Sequence, residues 1–236
     1  MSEAQVDRSE GDRLVSQLFA DPERFAKKGM ANDLLKQFFE GYPLDHLRSL
    51  LRHANHKVVE EGIWIASELP SCAAALLDDA MVLSRHPDRR VRFFALDVVM
   101  LGSTGGRTEG FIQVVEGLDD PDRAINDHAL FLLSRATESQ VAAAVKYLEQ
   151  AEPDSRHLAG LGMLVEAQST EPALVADALQ SSDPLRRRYG LAAAERVYGR
   201  HPSLLDLATH SQDDSIKSLA EHMLKQHRIA KRSREH

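Results

Sequence analysis

The sequence predicts an all-α protein: a right-handed α-solenoid of about six helix pairs with an N-terminal helical cap. Three observations predict it. Pro87, Pro121, Pro153 and Pro184 recur at spacings of 34, 32 and 31 residues, each beside an aspartate. Apolar segments of helical period follow these prolines. No stretch alternates with period two and β-branched enrichment, so no strand is expected.

The elements follow in order. Residues 1–12 are polar and are expected to be flexible. Residues 13–42 should form the cap, with amphipathic helices near 12–19, 22–28 and 32–41 covering the apolar face of the first repeat. The repeat array then occupies 43–225. First helices of the pairs are expected near 43–53, 71–84, 107–117, 138–150, 171–181 and 202–210. Several of them open at a proline or polar cap: Pro43, Pro70-Ser71, Thr137-Glu138, Glu171-Pro172 and Pro202-Ser203. Second helices are VVEEGIWIASEL from Val58, VRFFALDVVML from Val91, INDHALFLLSRA from Ile125 and LAGLGMLVEA from Leu158. YGLAAAERVYG from Tyr189 and IKSLAEHMLK from Ile216 are degenerate versions, as terminal repeats often are.

The recurring start has a physical reason. Proline lacks the N–H that would be unpartnered in a first helical turn. Aspartate accepts from the free N–H groups and suits the positive end of the helix dipole. Four positions after each anchor stands a small residue, Gly62, Ala95, Ala129, Gly162, Ala193 or Ala220, where a neighbouring helix can approach closely. Residues 226–236 read as a basic tail; KQHRIAKRSREH, counted from Lys225, carries five Lys or Arg and one Glu, and reads as an extension of the last helix with a favourable dipole.

Pro87-Asp88 followed by Val91-Arg92 and Ala95 resembles the HEAT-repeat motif, and is similar to the bacterial HEAT-like type over residues 43–225. Position 92 keeps the arginine, whereas the equivalent positions 59–60 and 126 do not. The resemblance implies stacked helix pairs whose second helices line a concave surface. The family includes scaffolds, lyases, glycosylases and inhibitors, so function has to come from the site.

Composition narrows the classes. Of 236 residues, 43% are hydrophobic and 28% charged, which excludes a chain disordered throughout. No apolar run approaches about 18 residues, so no membrane span is expected. The stretch MSEAQVDRSEGDR lacks the apolar core of a secretory signal. Cys72 is the single cysteine, which excludes an internal disulfide framework and fits a reducing cytoplasm. A net charge of −7 argues against a nucleic-acid partner and mildly favours a basic protein.

Helical turn of about 100° per residue sorts the second helices into faces. Val58, Gly62, Ile65, Ala66 and Leu69 share the packed side, while Glu61, Trp64 and Glu68 fall opposite it. Phe94, Asp97 and Leu101 take the same angles in the next repeat, His128, Phe131 and Arg135 in the third, and Leu161, Leu164 and Gln168 in the fourth. Aromatics interleaved with a few charges on a rigid face have the composition of a binding hot spot. The candidate partner-binding residues are therefore Glu61, Trp64, Glu68, Phe94, Asp97, His128 and Phe131.

Other chemistry is weaker. His53 and His56 lack a third zinc ligand in the sequence. Cys72 has no neighbouring base, and GSTGG at 102–106 precedes no Lys-Ser/Thr pair. Asp97 near Trp64 resembles the aspartate and tryptophans of HEAT-like alkyl-purine glycosylases, but Glu60, Glu61 and Glu68 on that face would repel phosphates. Arg89, Arg90 and Arg92, and Arg186, Arg187 and Arg188, are expected as solvated rim patches. The expectation is a non-catalytic protein-binding scaffold or inhibitor, immunity-type in one version, with neither cofactor nor metal; the alternative is a HEAT-like enzyme, a DNA glycosylase or a chromophore lyase.

Overall fold

The structure is a computed structural model that describes residues 9–104, 106–167 and 171–233. Fifteen α-helices and no strand occur among the described residues. The chain divides into two compact units at Gln113 and Val114. The first contains α1 (Ser9–Ala20), α2 (Pro22–Lys27), α3 (Ala31–Phe39), α4 (Leu44–Leu51), α5 (His56–Ser67), α6 (Ala73–Leu83) and α7 (Arg89–Gly102). The helix α8 (Thr108–Glu116) runs across the division. The second contains α9 (Arg123–Ser134), α10 (Glu138–Ala151), α11 (Leu158–Glu166), α12 (Pro172–Leu179), α13 (Pro184–Arg196), α14 (Ser203–Ala208) and α15 (Asp214–Arg232).

Helix positions match the repeat reading closely. One difference lies at the start: residues 9–12, expected to be flexible, are the first turn of α1, and residues 1–8 lie outside the described residues. Gly11 in that turn sits under the Tyr42 ring, and the Tyr42 hydroxyl donates to Asp12 at 2.7 Å. These contacts order a segment whose composition alone is that of a tail. At the other end, α15 carries the basic tail as helix up to Arg232.

The helix starts share one device. Asn55, Asp88, Asp122, Asp183 and Asp213 each accept at the side chain from the backbone N–H two residues on, at 2.7 to 3.0 Å. The N–H of each cap is in turn accepted by the side chain two residues before it. The acceptors are His53 Nδ1, His86 Nδ1, Asp120 Oδ1, Ser181 Oγ and Ser211 Oγ, at 2.8 to 3.2 Å. Two otherwise orphaned donors are satisfied at every such turn. Arg92 and Arg187, four residues after their caps, complete the turn by donating to the carbonyls of His86 and Pro87 and of Ser181 and Ser182.

The prolines behave differently from the expectation. Pro87 and Pro121 precede the capping aspartate, and only Pro184 occupies the first helical turn. Pro153-Asp154 opens no helix: α11 begins at Leu158 behind His157, with no side-chain cap.

In the first unit α5 packs on α4, α7 and α3, and α6 packs on α7. A Cβ at Gly62 would stand 2.7 Å from Leu50 Cβ, so glycine sets the α4–α5 approach. In the second unit α13 packs on α12, α11 and α9, and α15 on α14, α13 and α9. Strictly sequential stacking of second helices is therefore not followed: α9 meets α13 and α15. Helix α11 also departs from the expectation. Gly162, expected to be its close-contact residue, has open space around it, and Gly160 instead receives the Tyr189 ring from α13.

Candidate functional site

In the first unit the candidate residues stand on α5 and α7. Within α5, Ile63 and Ile65 are fully buried, whereas Trp64 between them is half-buried. The indole is thus not sealed in the core. Glu68 at the end of the helix is exposed, and Phe94 and Asp97 on α7 are half-buried. Phe94 meets Phe93 edge-on at 5.5 Å between ring centroids.

The acids on α5 are not a free negative patch. Glu60, read on the open face from the sequence, is 6% exposed. Lys57 Nζ stands 2.8 Å from Glu60 Oε2 and 3.3 Å from Glu61 Oε1. Arg90 Nε approaches Glu60 Oε1 at 2.8 Å, an ion pair without an aligned hydrogen bond. Burial raises the Glu61 carboxyl above its ordinary range, against the pull of Lys57. Burial works to lower Lys57, but Glu60 and Glu61 outweigh it and hold the ammonium above its ordinary value. Lys57 is legible in the sequence at helical spacing from both glutamates. Arg90, thirty residues from Glu60, carried no such signal.

In the second unit His128 and Phe131 are half-buried on α9. The Arg135 guanidinium covers the Phe131 ring, 4.3 Å from its centroid. His222 of α15 meets the same ring edge-on at 6.3 Å. In α11, Leu161 and Leu164 are core residues, and Gln168 lies outside the described residues.

Both arginine runs, expected as solvated rims, are largely engaged. Arg90 pairs with Glu60, and Arg92 holds its own turn. Arg187 bonds Asp213 at 2.9 Å, and Arg188 donates to the Leu118 carbonyl at 3.0 Å. His53 stacks on Phe19 at 4.8 Å and serves its turn. Cys72 is half-buried, with Ser71 Oγ at 3.9 Å. Among the described residues no group of three or more His, Cys, Asp or Glu is placed to hold a metal ion, and no helix is long and apolar enough to cross a membrane.

No protein-family model and no curated protein matches the chain. Among solved structures it is similar to an engineered protein from the Northeast Structural Genomics Consortium, with a TM-score of 0.51 at 16% identity, over 92% of this chain and 96% of that one. A second engineered protein from the same consortium aligns at 0.48 and 14% identity, over 92% and 67% of the two chains. A designed armadillo repeat protein aligns at 0.44 and 15% identity, over 90% and 98%. The helix pairs together with the first likeness establish an all-α helical-repeat solenoid.

Proposed function

We propose that the chain is a non-catalytic protein-binding scaffold or inhibitor of the bacterial HEAT-like type, acting in the cytoplasm, with an immunity-type inhibitor as its most concrete form. Its contact residues are Glu61, Trp64, Glu68, Phe94 and Asp97 in the first unit and His128 and Phe131 in the second. The observation that carries this reading is the half-buried Trp64 between two sealed isoleucines. A helix that buries both flanking residues and leaves the indole edge accessible presents a rigid aromatic anchor, the side-chain type that dominates protein interfaces. Glu68 at the end of α5 and Asp97 on α7 favour a partner whose contact surface is basic around an apolar centre.

The test compares the wild type with Trp64→Ala and Asp97→Lys as immobilised baits in extracts of the native cell. Both variants should lose the partner that the wild type retains while still unfolding cooperatively, so that the loss is not a loss of the fold. Equal recovery of the same partner by all three baits overturns the assignment.

A further inference from the structure

The strongest unassigned feature is a pocket of about 420 Å³ in the first unit, formed where α1 turns into α2. Its walls are Arg13 and Gln17 of α1, Arg24 and Phe25 of α2, and Lys28 and Met30 beyond it. Gly29 adopts a positive φ of 67°, which reverses the chain after α2 and brings Lys28 and Met30 to the same wall. The volume falls within the range of small-molecule sites.

Its charge is the reverse of the molecule's. The chain carries 36 acidic against 29 basic residues, and its arginines commonly have carboxylate partners: Arg48 with Asp45, Arg52 with Asp79, Arg107 with Asp78 and Glu109. The pocket is lined by three cations and one carboxylate. That carboxylate, Asp21, already accepts from the Arg24 backbone N–H at 3.0 Å as the cap of α2. Arg13 is held by Glu10. The side chains of Arg24 and Lys28 are exposed and have no carboxylate partner among the described residues. The Gln17 amide adds a further donor, and Ala20 and the half-buried Met30 supply apolar surface.

We infer that this pocket binds a small organic oxyanion, a carboxylate or phosphate carried on a short apolar body. Arg24 and Lys28 take the charged head, the guanidinium in a two-point contact and the ammonium as a point charge. The Met30 side of the pocket takes the body. None of these residues belongs to the proposed partner face, so this inference stands or falls independently of that reading.

The experiment titrates the full chain at low ionic strength with inorganic phosphate, hexyl phosphate, hexanoate and hexanol, following backbone amide shifts of Gln17, Arg24, Lys28 and Met30. Saturable shifts at these four residues are expected with hexyl phosphate or hexanoate, whichever head group fits, and weaker ones with inorganic phosphate. Arg24→Glu and Lys28→Glu should each weaken binding at least about tenfold, because a like charge replaces an attractive one. Gln17→Glu, which leaves both cations in place, should weaken it as well. Lys231→Glu on α15, an exposed cation that does not line the pocket, should leave it unchanged. Equal weakening by Lys231→Glu, hexanol binding as well as hexyl phosphate, no gain from the alkyl chain over inorganic phosphate, or no saturation at all would each overturn the inference.

Discussion

His157 Nδ1 lies 3.0 Å from the hydroxyl of Tyr189, and its Nε2 lies 3.1 Å from Asp119 Oδ2. One imidazole therefore links the start of α11 to α13 and to the short 3₁₀ turn Gly117–Asp119. A neutral ring satisfies both contacts: the tyrosine donates to Nδ1, and Nε2–H donates to the carboxylate. Burial pushes His157 below its ordinary value despite the pull of Asp119, and burial pushes the Tyr189 hydroxyl up. Arg156, 3.7 Å from Asp119, also disfavours the imidazolium.

This arrangement makes the fold acid-sensitive in a definite direction. A folded-state value below the unfolded value of about 6.5 means that the unfolded chain takes up the proton more readily. The contribution of His157 is whole above that value and is lost as pH falls through the folded one. Denaturant unfolding followed from pH 7.5 to 5 should show the wild type losing on the order of 1 kcal/mol that His157→Gln does not lose. Parallel pH curves for the two proteins would sink the idea. Tyr189→Phe should cost about 1–3 kcal/mol at pH 7.5, since it leaves a buried acceptor unpaired.

Glycines in the second unit should respond in opposite directions. A Cβ at Gly190 would stand 2.8 Å from the Leu179 backbone nitrogen and 3.0 Å from the Ala178 carbonyl carbon, so α12 and α13 would have to part. Gly190→Ala should destabilise by roughly 1–3 kcal/mol. Gly162 lies inside α11 with no heavy atom in reach of a Cβ. Gly162→Ala should stabilise by about 0.5–1 kcal/mol, through helix propensity alone. Thermal melts of the two variants check both signs.

These glycines also mark how far the sequence could be read. The pairs and their boundaries were legible because an N-capping Asp or Asn recurs ahead of an apolar stripe, a local signal. Which glycine receives a neighbour was not. Gly160 and Gly162 differ by two residues on one helix, and the choice is made by Tyr189, some thirty positions away. The same holds at the candidate site. Trp64 could be placed opposite the packed stripe by angle alone, whereas the burial of Glu60 depends on Arg90 arriving from α7. Phe131 likewise gains His222 from α15, a contact no spacing announces.

The capping device separates two aspartates that look alike in sequence. Asp88 caps α7, and Asp154 caps nothing. Asp88→Ala should cost about 1 kcal/mol, and Asp154→Ala close to nothing. Burial acts to raise the Asp88 carboxyl, but the N–H groups of Arg90 and Val91 outweigh it and hold it below the ordinary range. Its contribution is therefore present above the unfolded value of about 3.9 and disappears as pH falls through the folded one. The stability gap between wild type and Asp88→Ala should close on acidification to that range; a gap that stays constant would remove the cap from the account.

Glu61 connects stability to function. Its side chain is 13% exposed and shares Lys57 with the buried Glu60. A carboxyl whose folded value is raised is penalised in its charged form at neutral pH, so the fold retains that charge at a cost. Groups that oppose the fold are found disproportionately at sites that serve a ligand. Glu61→Gln should raise the unfolding free energy at pH 7, with the gain vanishing below the ordinary glutamate range, where the wild-type carboxyl is protonated as well. The same variant should bind the partner of Trp64 more weakly. A variant that is more stable and binds undiminished would make Glu61 a neighbour of the interface and confine the contact to Trp64, Phe94 and Asp97; one that is less stable would show that Lys57 needs both carboxylates.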